Sequence, residues 1–217
     1  VVPFPAGGTT DVVARLLGQR LQEAWGQSVV VENKTGAGGN IGAAEVAKAA
    51  NDGYTLLMAS GSIVTVNPHI YAKMPFDAAK DFVPITNVAQ GPMVIVVAPN
   101  VTAKNITELI AMAKAKPGVM NFGSAGIGSQ VHMAGENFLY TAGIDLKHVP
   151  YKGESLALTD VAGGSVEMLP GNLAAMLPFI KAGKVKALGV TSAERSPAAP
   201  EIPTVGESGL PGFVNVG

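Results

Sequence analysis

Short apolar runs, each followed by a turn and then an amphipathic run, recur along this 217-residue chain, and that alternation limits its fold more than any other feature. "VVPF" (1–4) leads through Ala6-Gly7-Gly8 into a run with Val13, Leu16, Leu17, Leu21, Ala24 and Trp25 on one face. Arg15, Gln19, Gln22 and Glu23 lie opposite, and Gly26 is the stop. "SVVVE" (28–32) and "YTLLMAS" (54–60) read as strands around a helix over 40–50, and strand signals at 82–89 and 93–98 flank Gln90-Gly91-Pro92. In the second series, Asn105 and Glu108 have the spacing of a capping pair for a helix reaching Lys116. Strands over 119–123, 147–150, 166–169 and 185–191 then alternate with helices over 128–141, 155–162 and 172–182. Continuous apolar strands between amphipathic helices are the pattern of sheets covered on both faces. Because the series occurs twice, the expected fold is α/β with two lobes that divide near Gly91-Pro92.

Composition narrows the function. A net charge of −1, with no basic block, offers nucleic acid no field to follow. With no cysteine there is no disulfide, no thiolate nucleophile and no cysteine-ligated zinc. No apolar run approaches the roughly 18–20 residues of a membrane helix. "VVPF" opens inside a strand and "FVNVG" stops as a β-prone run begins, so the sequence is expected to be trimmed at both ends, with a further element beyond Gly217.

Two glycine loops open helices in corresponding places, Ala6-Gly7-Gly8-Thr9-Thr10 and Ser124-Ala125-Gly126-Ile127-Gly128-Ser129. Helix N-termini carry unpaired N–H groups and a partial positive charge, and missing side chains let an anion approach them. Neither loop contains Lys or Arg, so the pair is read as neutral donors for a carboxylate, against the plainer reading of tight βα turns. Smaller polar loops share the same strand ends: Ser60-Gly61-Ser62, Asn67-Pro68, Tyr151-Lys152-Gly153-Glu154-Ser155 and Gly171-Asn172. A third cluster, Gly36-Ala37-Gly38-Gly39-Asn40-Ile41-Gly42, has the wrong spacing for a dinucleotide fingerprint and reads as the start of a helix and close packing. Asp11 is read as a first-turn acid favourable to the helix dipole. His132 and Glu136, one turn apart, could bind a metal or exchange a proton, but read more simply as an i,i+4 pair. His148 reads as a polar group of the core or of a cleft edge. No phosphate-loop lysine, nucleophile elbow or close carboxylate pair is present, and no catalytic residue, metal or cofactor is assigned.

"VVPFPAGGTTDVVARLL", "VVVENKTGAGGNIGAAEVAKAANDGYTLL", "FGSAGIGSQVHMAGE", "HVPYKGESLALTDVAGGSV" and "GKVKALGVTSAERSPAAPEIPTVGESGLPGF" together resemble the Bug-type extracytoplasmic solute receptors of tripartite tricarboxylate transporters. The resemblance runs in order over essentially the whole chain. It implies a periplasmic binding protein of the Venus-flytrap kind, type II-like, each lobe a mostly parallel sheet flanked by helices. The implied division is 1–93 for the first lobe, completed by 203–217 and a further C-terminal tail, with 94–202 for the second and a hinge about 90–99. It implies that Pro5–Thr10 and Ser124–Ser129 clamp a small carboxylate. The expected ligand-binding set is Pro5, Ala6, Gly7, Gly8, Thr9, Thr10, Ser60, Ser62, Asn67, Ser124, Ala125, Gly126, Gly128, Ser129, His132, Tyr151, Lys152 and Asn172. Val64 and Leu173 are expected to help line the selectivity region, and Lys152 to be able to pair a second carboxylate. The implied partners are that ligand and the membrane subunits of the transporter, for a monomeric protein in the periplasm. The rival expectations are an α/β hydrolase or nucleotide-dependent transferase, and a purely structural interaction domain.

Overall fold

A computed structural model describes residues 1–216. The helices are α1 (Thr9–Trp25), α2 (Asn40–Ala47), α3 (Gly61–Thr65), α4 (Asn67–Ile70), α5 (Ile106–Ala115), α6 (Gln130–Ala142), α7 (Glu154–Ala162) and α8 (Leu173–Lys181). The strands are β1 (Met93–Val97), β2 (Asn121–Ser124), β3 (Lys147–Pro150), β4 (Met168–Asn172) and β5 (Lys186–Val190). They form one sheet in the order β3-β2-β4-β1-β5. β2 is parallel to β3 and to β4, whereas β1 is antiparallel to both β4 and β5. Four strands thus share a direction and the reversed one lies between β4 and β5.

Every residue of β1 is buried, as its unbroken apolar run demands for a strand covered on both faces. Phe122, Phe138, Leu109, Met168 and Met176 pack around it. The capping pair forms: Asn105 Oδ1 accepts from the Glu108 N–H at 2.8 Å, and Glu108 Oε2 accepts from the Lys104 N–H at 2.9 Å. At the other end of a helix, Gly26 takes φ 64° and closes α1, a left-handed conformation that glycine adopts at little cost.

The first ninety residues are different. The runs 28–32, 54–60 and 82–89, expected as strands, form no ladder. Val2 begins one: its N–H donates to Glu32 O at 2.7 Å, its carbonyl accepts from Lys34 N at 2.8 Å, and Met58 N donates to Val1 O at 3.0 Å. Pairing goes no further because little apolar surface is covered there. Val30 is 74% exposed, Tyr54 92% and Val83 89%. The glycine cluster packs as expected. A Cβ on Gly42 would lie 2.7 Å from Lys34 O and 2.9 Å from Pro3 Cα.

Two details bear on the expected boundaries. Residues 203–213 pack against the five-stranded sheet at its β5 edge. Val190 N donates to Pro203 O at 2.8 Å, Val205 N to Val190 O at 2.8 Å, and the Phe213 ring meets Phe138 edge-on at 5.9 Å. Within 90–99, Met93–Val97 is a core strand, and Pro92 before it forms an antiparallel bridge with Val216.

Candidate functional site

The two glycine loops come together. A cavity of about 410 Å³, counting the part open to solvent, lies between Phe4, Pro5, Gly8, Thr9, Thr10 and Ser60 on one side and Ala125, Ser129, Gln130, Val131, Glu154, Ser155 and Asn172 on the other. α1 begins in the first group, and α6, α7 and α8 begin in the second, so four helix N-termini converge on one space. First-turn N–H groups have no partner within their own helix, and their dipoles add to a positive potential without any cationic side chain.

Turn chemistry decides which amides stay available. The Gly7 N–H, at φ 81°, donates to Asp11 Oδ2 at 2.9 Å. Asp11 is buried and also accepts from Arg15 Nε and Asn33 Nδ2, each at 2.9 Å. Burial alone would raise its carboxyl, but those hydrogen bonds and the Arg15 charge hold it below the usual carboxylate range. Asp11 therefore fixes the first loop from behind and leaves the first-turn amides of Thr9 and Thr10 facing the cavity side. The Thr9 hydroxyl is buried with no hydrogen-bond partner.

The second loop is braced in the same manner. The Gly126 N–H donates to Ser124 Oγ at 3.0 Å, and Ser124 Oγ lies 2.6 Å from His148 Nε2. The Gly128 N–H donates to His132 Nδ1 at 3.2 Å. The two imidazoles stack with centroids 4.1 Å apart, over Phe122. Burial pushes His148 down to about 4, helped by neighbouring His132, and burial also lowers His132 against the opposing pull of Glu136. Both are neutral supports near pH 7, and the expected His132–Glu136 pair is present at 3.4 Å. Ser129 caps α6 by accepting from the His132 N–H at 3.2 Å, so the Gln130 and Val131 amides stay without an intrahelical partner.

Pro5, Gly8, Thr9, Thr10, Ser60, Ala125, Ser129 and Asn172 thus line the cavity. The other positions singled out in sequence stand around it. Ala6 is exposed beside Gly7, and Ser62 is buried with its hydroxyl 3.1 Å from Ser60 Oγ. Asn67 is wholly buried and donates to Gly38 O and Asn40 Oδ1, and its own Oδ1 has no partner. Ser124, Gly126, Gly128 and His132 form the brace. The Tyr151 hydroxyl turns to Asp160 at 2.5 Å, its acidity weakened to about 12 by burial and by that carboxylate, and Lys152 is exposed. The expected ligand-binding set left out Phe4, Gln130 and Val131, and also Glu154 and Ser155, although their loop was placed among those at the cleft. Among the described residues, no group of three or more His, Asp or Glu side chains is placed to hold a metal.

A sheet with one reversed strand and a cavity ringed by helix N-termini is the architecture of a periplasmic binding protein. Residues 13–217 match the family described as the tripartite tricarboxylate transporter family receptor, and the chain belongs to that family. BugT of Bordetella pertussis is 41% identical over 215 residues, which are 99% of this chain and 66% of that protein. The chain spans about two thirds of the length of such curated relatives. Among solved structures, R. palustris Rpa4515 with adipate matches with TM-score 0.96 and 38% identity, covering 99% of this chain and 72% of that one. The periplasmic binding protein BugD matches with TM-score 0.93 and 38% identity, over the same shares. These relatives are solute-binding receptors, not enzymes.

Proposed function

We propose that this chain captures a small carboxylate between the first turns of α1 and α6, as the solute-binding receptor of a tripartite transporter. The carrying observation is the Thr9 hydroxyl, buried without a partner at the junction of two facing helix N-termini. An unpaired buried hydroxyl costs free energy that a ligand oxygen would recover. The amides of Thr9, Thr10, Gln130 and Val131 are the donors, and the Asp11 and His132–His148 braces keep the loops in shape. Adipate bound to Rpa4515 supports the ligand class.

In this reading residues 1–92 form one lobe and 93–213 the other. The chain passes between them at 90–92 and again at 214–216, and these crossings pair through Pro92 and Val216. Closure is supported by contacts across the divide, with the Tyr71 hydroxyl donating to Ile127 O at 2.8 Å and Ser60 Oγ 3.5 Å from Gln130 Oε1. A ligand touching both lobes favours the closed state by its differential affinity for it. A monomer in the periplasm, presenting that closed form to membrane subunits, completes the proposal.

A thermal-shift screen of carboxylates, amino acids and nucleotides tests it. Carboxylates should raise the melting temperature and nucleotides should not; stabilisation by nucleotides alone would overturn the reading. Thr9→Val keeps the shape and removes the hydroxyl. It should weaken carboxylate binding by about tenfold or more, the worth of a hydrogen bond to a charged group, with an unchanged or higher apo melting temperature.

A further inference from the structure

One of the chain's own carboxyl groups already sits in this cavity. Glu154, the first residue of α7, is 7% exposed and lines the cavity wall. Its Oε1 accepts from the Asn172 N–H at 2.5 Å and its Oε2 from Asn172 Nδ2 at 2.9 Å. Asn172 is the N-cap of α8, so the carboxylate occupies the place an external anion would take at that helix start. The fit is close: a Cβ on Gly171 would lie 2.7 Å from Glu154 Oε1. α8 and β4 bring Asn172, Met176 and Gly171 against the group, and Thr9, Thr10 and Gln130 line the same cavity. Among the residues lining it, no other side chain is ionisable, and Lys152, two positions earlier, is exposed.

We infer that Glu154 determines specificity: it stands in for a second ligand carboxylate, so the site takes a monocarboxylate whose far end is an ammonium or another hydrogen-bond donor, and disfavours dicarboxylates. The inference rests on the carboxylate-receptor reading above. A second carboxylate reaching α8 would meet a fixed negative charge at short range in a poorly solvated space, with the helix start already capped. An ammonium there would meet a carboxylate held by two hydrogen bonds and needing a counter-charge. Rpa4515 with adipate shares the carboxylate ligand, and this chain should differ from it in disfavouring the second carboxylate.

Calorimetric titration of the 217-residue protein at pH 8, where Glu154 is ionised, tests this with two length-matched series. These are succinate, butyrate and 4-aminobutyrate, and adipate, hexanoate and 6-aminohexanoate. In the series that binds, the amino acid should bind at least tenfold tighter than the diacid. Glu154→Gln keeps the shape and an acceptor for Asn172, and it should cut that ratio at least tenfold, chiefly by improving the diacid. Equal or tighter diacid binding by the unsubstituted protein would overturn the inference, and needs no variant. A Glu154→Gln protein that melts cooperatively yet keeps the original ratio would also overturn it. If no carboxylate in the thermal-shift screen binds at all, the receptor reading itself fails and takes this inference with it.

Discussion

Glu154 and His148 titrate in opposite senses, and their opposition predicts a pH signature. Burial pushes the Glu154 carboxyl up to about 7, only partly offset by its bonds to Asn172. The unfolded chain releases this proton near pH 4.5 and the folded chain near 7, so folding loses stability as pH rises between them, by a few kcal/mol in all. Burial, helped by His132, lowers His148 from 6.5 to about 4, so the unfolded chain takes up that proton first and stability falls as pH drops between those values. Urea melts from pH 4 to 8 should separate the two. Glu154→Gln should leave stability rising with pH up to about 6.5, and His148→Gln should leave it falling from about 4.5 to 7. Identical profiles for all three proteins would contradict both assignments. At this scale the glycine loops were legible because their conformational demand is local. Glu154 was legible only as one member of a polar loop at the cleft, and only the docking of α8 makes it a buried cap. The Ser124–His148 bond, across 24 positions, gave no sequence signal either.

Elements followed their sequence signals wherever a core was available to receive them. α5, α6, α7 and α8, with all five strands, fall within a few residues of the expected bounds, since period and apolar runs there match a sheet that buries both faces. The runs at 28–32, 54–60 and 82–89 have equally good strand composition yet form no ladder. Strand propensity measures fit to a half-buried pleated surface, and Val30, Tyr54 and Val83 meet solvent instead. Reversal of β1 between β4 and β5 was also hidden, because direction depends on the long connections and not on the strand's own residues. Close approach of α2 to Pro3 and Lys34 supplies a direct check. Gly42→Ala would drive a methyl into Lys34 O and Pro3 Cα, and should destabilise the fold by about 1–3 kcal/mol in chemical melts. Unchanged stability would mean that α2 does not pack as described.

The whole molecule is asymmetric: a dense five-stranded half carries most of the buried side chains, and a sparser half brings α1 to it. The cavity lies where the two meet, and Gly128 sets how closely they approach. A Cβ there would run into Asn67 Oδ1 and Ile70 Cδ1, and its φ of 80° favours glycine. Gly128→Val should therefore hold the halves apart, enlarging the radius of gyration in small-angle scattering and weakening carboxylate binding about tenfold or more. Unchanged scattering and affinity would show that this contact does not control closure. The central claim is that one carboxylate is held by main-chain donors from two helices on opposite sides of the cavity. Amide NMR of ¹⁵N-labelled protein, titrated with a carboxylate found in the thermal screen, tests it most directly. The Thr9, Thr10, Gln130 and Val131 resonances should shift together along a single binding curve; shifts confined to one helix start, or absent from both while the carboxylate binds, would rule out a clamp made by both helices.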